Sequence, residues 1–198
     1  KACAHALDET PPLSRIALLD VLKQRQAEVA RREVFDQTRA EDEAVRLAAI
    51  DALSAVAKPG DVSKVVDLVI EAPTDAEKNA ARTVLVSLAA EKPRPLFQAI
   101  EKHDGQAKAD LLAALPAVAS EEAYQAVVAG TNSDNPAVED AAVRALSDWP
   151  DPAAMPRLME IAKTTDNETH HVLALGGFLR LVPAAKITPP EKIAQYKA

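Results

Sequence analysis

Leucines return along this chain at a nearly fixed stride, and that stride limits the folds open to it. Leu22, Leu53, Leu88, Leu115, Leu146 and Leu179 stand 31, 35, 27, 31 and 33 residues apart. Most of these anchors follow apolar residues three and four positions earlier: Leu18 and Leu19, Ala49 and Ile50, Val84 and Leu85, Leu111 and Leu112, Ala142 and Val143. That spacing lays one apolar stripe along a helix of 3.6 residues per turn. A period of roughly 30 residues belongs to stacked helical hairpins rather than to one globular core. A single hairpin cannot cover its own apolar face, so copies stack and each touches only its neighbours.

Composition supports the same reading. Hydrophobic residues make up 48% of the 198-residue chain, yet aromatics make up only 3%. Alanines five and one before the anchors (Ala17, Ala48 and Ala174; Ala52, Ala114 and Ala145) leave room for helices to approach closely, with leucines filling the gaps between layers. An aspartate precedes every anchor, at Asp8, Asp42, Asp75, Asp104, Asp134 and Asp166, and is read as a cap or turn residue at each hairpin. The second helices are expected around 14–24, 42–57, 75–90, 104–119, 134–148 and 166–182. First helices fall at 27–38, 61–72, 93–103 and 121–130, with another after the Trp149-Pro150-Asp151-Pro152 turn. No stretch alternates apolar and polar residues as a strand would. The fold class is therefore all-α, an α-solenoid of about six hairpins in one domain over 1–198. Because the chain starts at Lys1 within a helical pattern and ends at Gln195–Ala198 in an unfinished helix, it is expected to be a fragment of a longer protein.

Charge narrows the class of partner. A net charge of -7 argues against a phosphate-backbone partner, which is held by clustered Lys and Arg. The densest basic run, Arg25 to Arg32, is interrupted by Glu28 and reads as a solvated helix face. Cys3 is the only cysteine, so neither an intramolecular disulfide nor a thiolate metal cluster can form. No apolar run approaches the ~20 residues that a membrane span needs. The compartment stays open between the cytoplasm and export as part of a larger protein.

The segments Asp42-Glu43-Ala44-Val45-Arg46-Leu47-Ala48-Ala49-Ile50-Asp51-Ala52-Leu53 and Asn135-Pro136-Ala137-Val138-Glu139-Asp140-Ala141-Ala142-Val143-Arg144-Ala145-Leu146 resemble HEAT repeats, and more narrowly the short bacterial type related to phycobilin-lyase repeats. The resemblance runs from about Ser14 to Val182. It implies a right-handed superhelix with first helices on the convex side and second helices on the concave side, where partners usually lie. From helical geometry, positions six and two before each anchor point away from neighbouring layers, and they include Leu47, Asp51, Arg82, Val86, Asp140 and Arg144. These six are the candidate partner-contact residues on the concave face. The mixed, sparsely charged wall suits a protein or peptide, or another domain of the same chain, better than an anionic polymer.

Chemistry-bearing residues are few. His170-His171 follows Asp166 and Glu168, but adjacent helical residues diverge by about 100°, which hinders sharing one ion. Cys3 as a nucleophile would need a His partner, and His5 two residues away is not evidence of a dyad. Trp149 reads as cover for the core edge, and Gly176-Gly177 as a site of close helix approach. The resemblance extends to enzymes: di-iron hydroxylases built of such repeats carry repeated His-Glu pairs, which this chain lacks, and glycosylase relatives line their wall with basic and aromatic residues. No catalytic residue, cofactor or metal site is read from the sequence. The expectation is a non-catalytic interaction or scaffolding module, not an enzyme. The alternative is a phycobilin-lyase-like or other HEAT-like enzyme or accessory subunit.

Overall fold

The computed structural model describes Leu7 and residues 9–185. Among these residues there are helices, turns and no strand. The α-solenoid expected from the repeat is what forms, and its contacts gather into two compact units, Lys1–Glu101 and Lys102–Ala198, where the sequence predicts one domain. Cys3, His5, Asp8 and the segment 195–198 lie outside the described residues.

The first unit contains α1 (Pro12–Gln24), α2 (Arg31–Gln37), α3 (Glu43–Val56), α4 (Val62–Glu71) and α5 (Asp75–Ala89), and α6 (Arg94–Lys102) reaches its boundary. Helix α3 is its hub, packed against α1, α2 and α5, while α4 lies on α5. The apolar face of α3 explains this: Val45, Ala49, Ile50, Ala52, Leu53 and Val56 are all buried. The expected helix 27–38 is shorter, because Gln26 adopts a left-handed φ of 46° and residues Glu28–Ala30 form a 3-10 turn before α2.

The second unit contains α7 (Gly105–Leu112), α8 (Leu115–Val118), α9 (Glu121–Gly130), α10 (Pro136–Ser147), α11 (Met155–Thr164) and α12 (Glu168–Leu181). Here α10 is the hub, packed against α7, α9 and α12, with α11 on α12. The single helix expected over 104–119 is broken into α7 and α8. Pro116 has no N–H to give and its ring crowds the carbonyl of Leu112, where α7 ends. Ala119, at φ 50°, then terminates α8.

Three of the expected caps are displaced by one residue. Asp42 does cap α3, its Oδ1 accepting from Val45 N–H at 3.1 Å. At α10, however, the cap is Asn135 rather than Asp134, its Oδ1 accepting from Ala137 and Val138. At α12 it is Asn167 rather than Asp166, bound by Thr169 and His170. Thr74, not Asp75, caps α5. Each replacement is another short polar side chain with the same capping capacity.

The leucine register also needs correction at two helices. Leu179 is 36% exposed, whereas Phe178, Ala174, Gly177 and Leu181 are buried. The α12 face that matches Val138, Ala142, Ala145 and Leu146 of α10 is therefore His170, Ala174, Gly177 and Phe178. In α5 the buried set Glu77, Ala81, Val84, Leu85 and Leu88 matches Val45, Ala49, Ala52, Leu53 and Val56 of α3. The repeat is then 32 residues at both steps, and two polar residues, Glu77 and His170, occupy a valine position.

Candidate functional site

Both polar intruders are joined to the preceding layer. Glu77 is 2% exposed, and Arg46 meets it from α3, with Nη2 donating to Oε1 at 2.9 Å and Nε bridging both oxygens at 3.3 Å. Arg46 Nη1 donates to the carbonyls of Ala40 and Glu41, so the same guanidinium closes the turn that precedes α3. The hydrogen bond to Glu77 raises the pKa of Arg46 above its ordinary value. In the second unit His170 is buried with Nε2 3.3 Å from Asp140 Oδ1 and Nδ1 3.9 Å from Glu139 Oε1.

Beside the Arg46–Glu77 pair the first unit opens into a cleft. One cavity of about 300 Å³ is lined by Thr38, Arg39, Ala40, Arg46, Ile50, Leu68, Glu71, Ala72, Pro73 and Glu77. A neighbouring one of about 230 Å³ is lined by Arg32, Phe35, Asp36, Thr38, Arg39, Lys64, Asp67 and Leu68. The two share Thr38, Arg39 and Leu68, so they form adjoining halves of one depression between the α2–α3 turn and α4. Leu68 and Ile50 supply apolar lining, and Lys64 sits over the Phe35 ring at 5.0 Å. Four cationic side chains (Arg32, Arg39, Arg46, Lys64) are balanced by four carboxylates (Asp36, Asp67, Glu71, Glu77). A depression of this size and charge balance admits one or two peptide side chains and has no bias toward polyanions.

The six residues expected on the concave face divide between the units. In the first, Asp51 does not point away from its neighbours: it accepts from Lys23 Nζ of α1 at 2.8 Å. Arg82 Nη1 donates to Asn79 Oδ1 on its own helix, and Leu47 and Val86 are half-buried. In the second, Arg144 Nε donates to Asp140 Oδ2 at 2.7 Å, and Asp140 also faces His170 of the next layer. The hydrogen bond from Arg144, helped by His170, lowers the Asp140 pKa below the ordinary carboxylate value. Asp51 and Asp140 thus serve as links between layers, while remaining open to solvent.

The sequence gives little sign of the cleft. Phe35, Arg39, Lys64 and Leu68 come from two helices and a turn that share no periodic position, so periodicity does not mark them. Arg46 is visible as part of the Val45-Arg46 pair, but its buried partner sits where the register predicts an apolar residue. His170 and His171 turn to different partners, the latter with Nδ1 2.7 Å from the Ala162 carbonyl. Among the described residues no three His, Cys, Asp or Glu side chains converge in a metal-binding group. No described helix is long and apolar enough to cross a membrane.

A family described as HEAT repeats matches residues 93–176. No curated protein matches the chain in sequence. Among solved structures, human deoxyhypusine hydroxylase in complex with glycerol is similar at 18% identity and a TM-score of 0.41, covering 98% of this chain and 83% of that one. That neighbour is an enzyme, and it overturns the expectation of a non-catalytic scaffold and of a chain that is not an enzyme. At this TM-score the likeness transfers no substrate or reaction.

Proposed function

We propose that this chain, with HEAT repeats over residues 93–176, acts as an accessory subunit of an enzyme assembly, gripping a peptide segment of its partner in the α2–α4 cleft. The observation that carries the reading is the pair of adjoining cavities meeting at Thr38, Arg39 and Leu68. Their lining offers a small apolar floor, one aromatic ring and charges of both signs. A peptide supplies matching chemistry: an apolar side chain for Leu68 and Ile50, a carboxylate for Arg39 or Arg32, and backbone amides for the acidic rim. Balanced charge favours a partner chosen by shape and hydrogen bonding over one steered by net charge. The layers behind the cleft hold it in one shape, because Arg46 locks the α2–α3 turn to buried Glu77.

Peptide display tests the cleft. A random library selected on the purified chain should return binders that lose about tenfold or more in affinity on Arg39→Glu or Leu68→Asp. Substitution of Arg82 or Arg144 should leave them unchanged. The accessory role is tested in the native host, where the same cleft variants should release an associated enzyme. Binders indifferent to both cleft substitutions would remove the cleft from consideration.

A further inference from the structure

Aspartates stand at the start of several helices in this chain, and one of them is placed differently from the others. Asp42 reaches past its neighbours to accept from Val45 N–H, three residues on, at 3.1 Å. Asp151 accepts from Ala153 N–H, two residues on, at 2.8 Å. Asp104, the cap of α7, instead accepts from the N–H of the very next residue, Gly105, with Oδ1 2.7 Å from that nitrogen. A carboxyl group folded back onto the following amide stands beside the backbone nitrogen that can close a five-membered ring with it.

The surroundings leave that nitrogen open to reaction. Asp104-Gly105 is the only Asp-Gly step in the sequence, so no other aspartate is followed by a residue without a Cβ to crowd the attack. Gly105 is the first residue of α7, where an N–H has no intrahelical carbonyl to bind. Its φ of 57° lies in the left-handed region that glycine enters freely. A Cβ built there would find nothing closer than Asn135 Nδ2 at 3.7 Å, so no packed wall opposes ring closure. Asp104 itself is exposed, and water therefore reaches both the carboxyl and the ring that would form.

We propose that Asp104-Gly105 is a site of spontaneous isoaspartate formation. With the carboxyl protonated, the Gly105 nitrogen attacks Asp104 Cγ. The N–Cγ bond forms, one Cγ–O bond breaks, and that oxygen leaves as water with the carboxyl proton and the amide proton. Water then opens the succinimide at either of its carbonyl carbons. Attack at Cγ restores aspartate. Attack at the Asp104 main-chain carbonyl carbon breaks its bond to nitrogen, so the chain runs on through Cβ and Cγ and the former α-carbonyl is released as a carboxylate. One water leaves and one is taken up, so no oxidant, reductant or second substrate is needed.

The isomer adds one methylene to the main chain at the cap of α7 and takes away the side chain that closed it. Helix α7 packs on α10, the hub of the second unit, so the change loosens that unit at its first turn.

Incubation of the purified chain in heavy-oxygen water at neutral pH and physiological temperature tests the site. Peptides from a later digest in ordinary water should carry the label at Asp104, with about tenfold less or lower at every other aspartate. Electron-transfer fragmentation should find isoaspartate at the same position. Gly105→Ala brings a Cβ to the attacking nitrogen and should label severalfold more slowly; it should still fold, since Ala119 already holds a φ of 50° in this chain. Because the fold sets the contact, the intact chain should label no more slowly than a synthetic peptide spanning residues 100–108. Ageing should also lower the thermal midpoint of the parent and leave that of Asp104→Ser, which keeps a capping oxygen without a carboxyl, unchanged. Label spread evenly over the aspartates overturns the proposal, as does label in the peptide but not in the folded chain. A Gly105→Ala variant that labels as fast as the parent overturns it as well.

Discussion

The Arg46 guanidinium holds the buried Glu77 carboxylate across 31 residues of sequence, with Nη2 and Oε1 2.9 Å apart. This pair sits where the repeat would otherwise place an apolar residue, and it joins α3 to α5. Removing the arginine leaves the carboxylate buried and uncompensated. Arg46→Ala should therefore lower the urea midpoint of the first unit by roughly 1 M or more. The double variant Arg46→Met with Glu77→Leu should recover most of that loss, because an apolar pair fits the same space without desolvating charges. Urea unfolding of the parent and both variants checks it, and a double variant as unstable as Arg46→Ala would refute the account.

The displaced caps give a sharper test of local structure. Asn135→Ala and Asn167→Ala should each cost about 0.5–2 kcal/mol, since each side chain accepts from two backbone N–H groups. The neighbouring Asp134→Ala and Asp166→Ala should stay within about 0.5 kcal/mol of the parent. Thermal unfolding of the four variants separates the two sets.

Two adjacent glycines should respond with opposite signs. Gly177→Ala pushes a methyl into the Ser147 backbone, which cannot retreat as a flexible side chain would, and should destabilise by about 1–3 kcal/mol. Gly176→Ala meets open space and gains helix propensity, so it should stabilise the chain by up to about 1 kcal/mol. Chemical denaturation measures both.

Asp140 sets a pH dependence with a definite sign. Its pKa in the folded chain is lowered, first by the hydrogen bond from Arg144 and further by His170. A lowered folded value means stabilisation that is present above the unfolded carboxylate pKa of about 3.9 and lost as pH falls through the folded value. Asp140→Asn should thus be less stable than the parent at neutral pH by no more than about 1 kcal/mol, because the pair is substantially exposed. The difference should shrink toward zero in acid. A gap that widens below about pH 4 would contradict the assignment.

The repeat itself is legible because apolar periodicity reports which face of a helix is buried, and that survives wherever large and small residues keep their places. It misleads at α12, where Leu179 follows Phe178 directly. There the periodicity points to a leucine as the anchor, although the aromatic beside it is the buried residue. The cap at α10 is within reach of sequence: Pro136 suits the first helical position, which makes Asn135 the cap. The cleft is out of reach, since Phe35, Arg39, Lys64 and Leu68 line one depression only once the chain has folded. The expectation of a chain with no catalytic role rests on missing motifs, and an absent motif is not an observation of the site.

The links between layers share one property: each spans about one repeat of chain. Lys23 reaches 28 residues to Asp51, Arg157 reaches 26 back to Thr131, His170 reaches 30 to Asp140, and Arg180 reaches 33 to the Ser147 carbonyl. No such bond requires distant parts of the chain to find one another first. Short loops close at small entropic cost, so folding of such layers can keep pace with synthesis, each new hairpin docking as it leaves the ribosome onto one already formed. The chain is thus able to assemble in the direction it is made, with its earliest layers complete before its last helix exists.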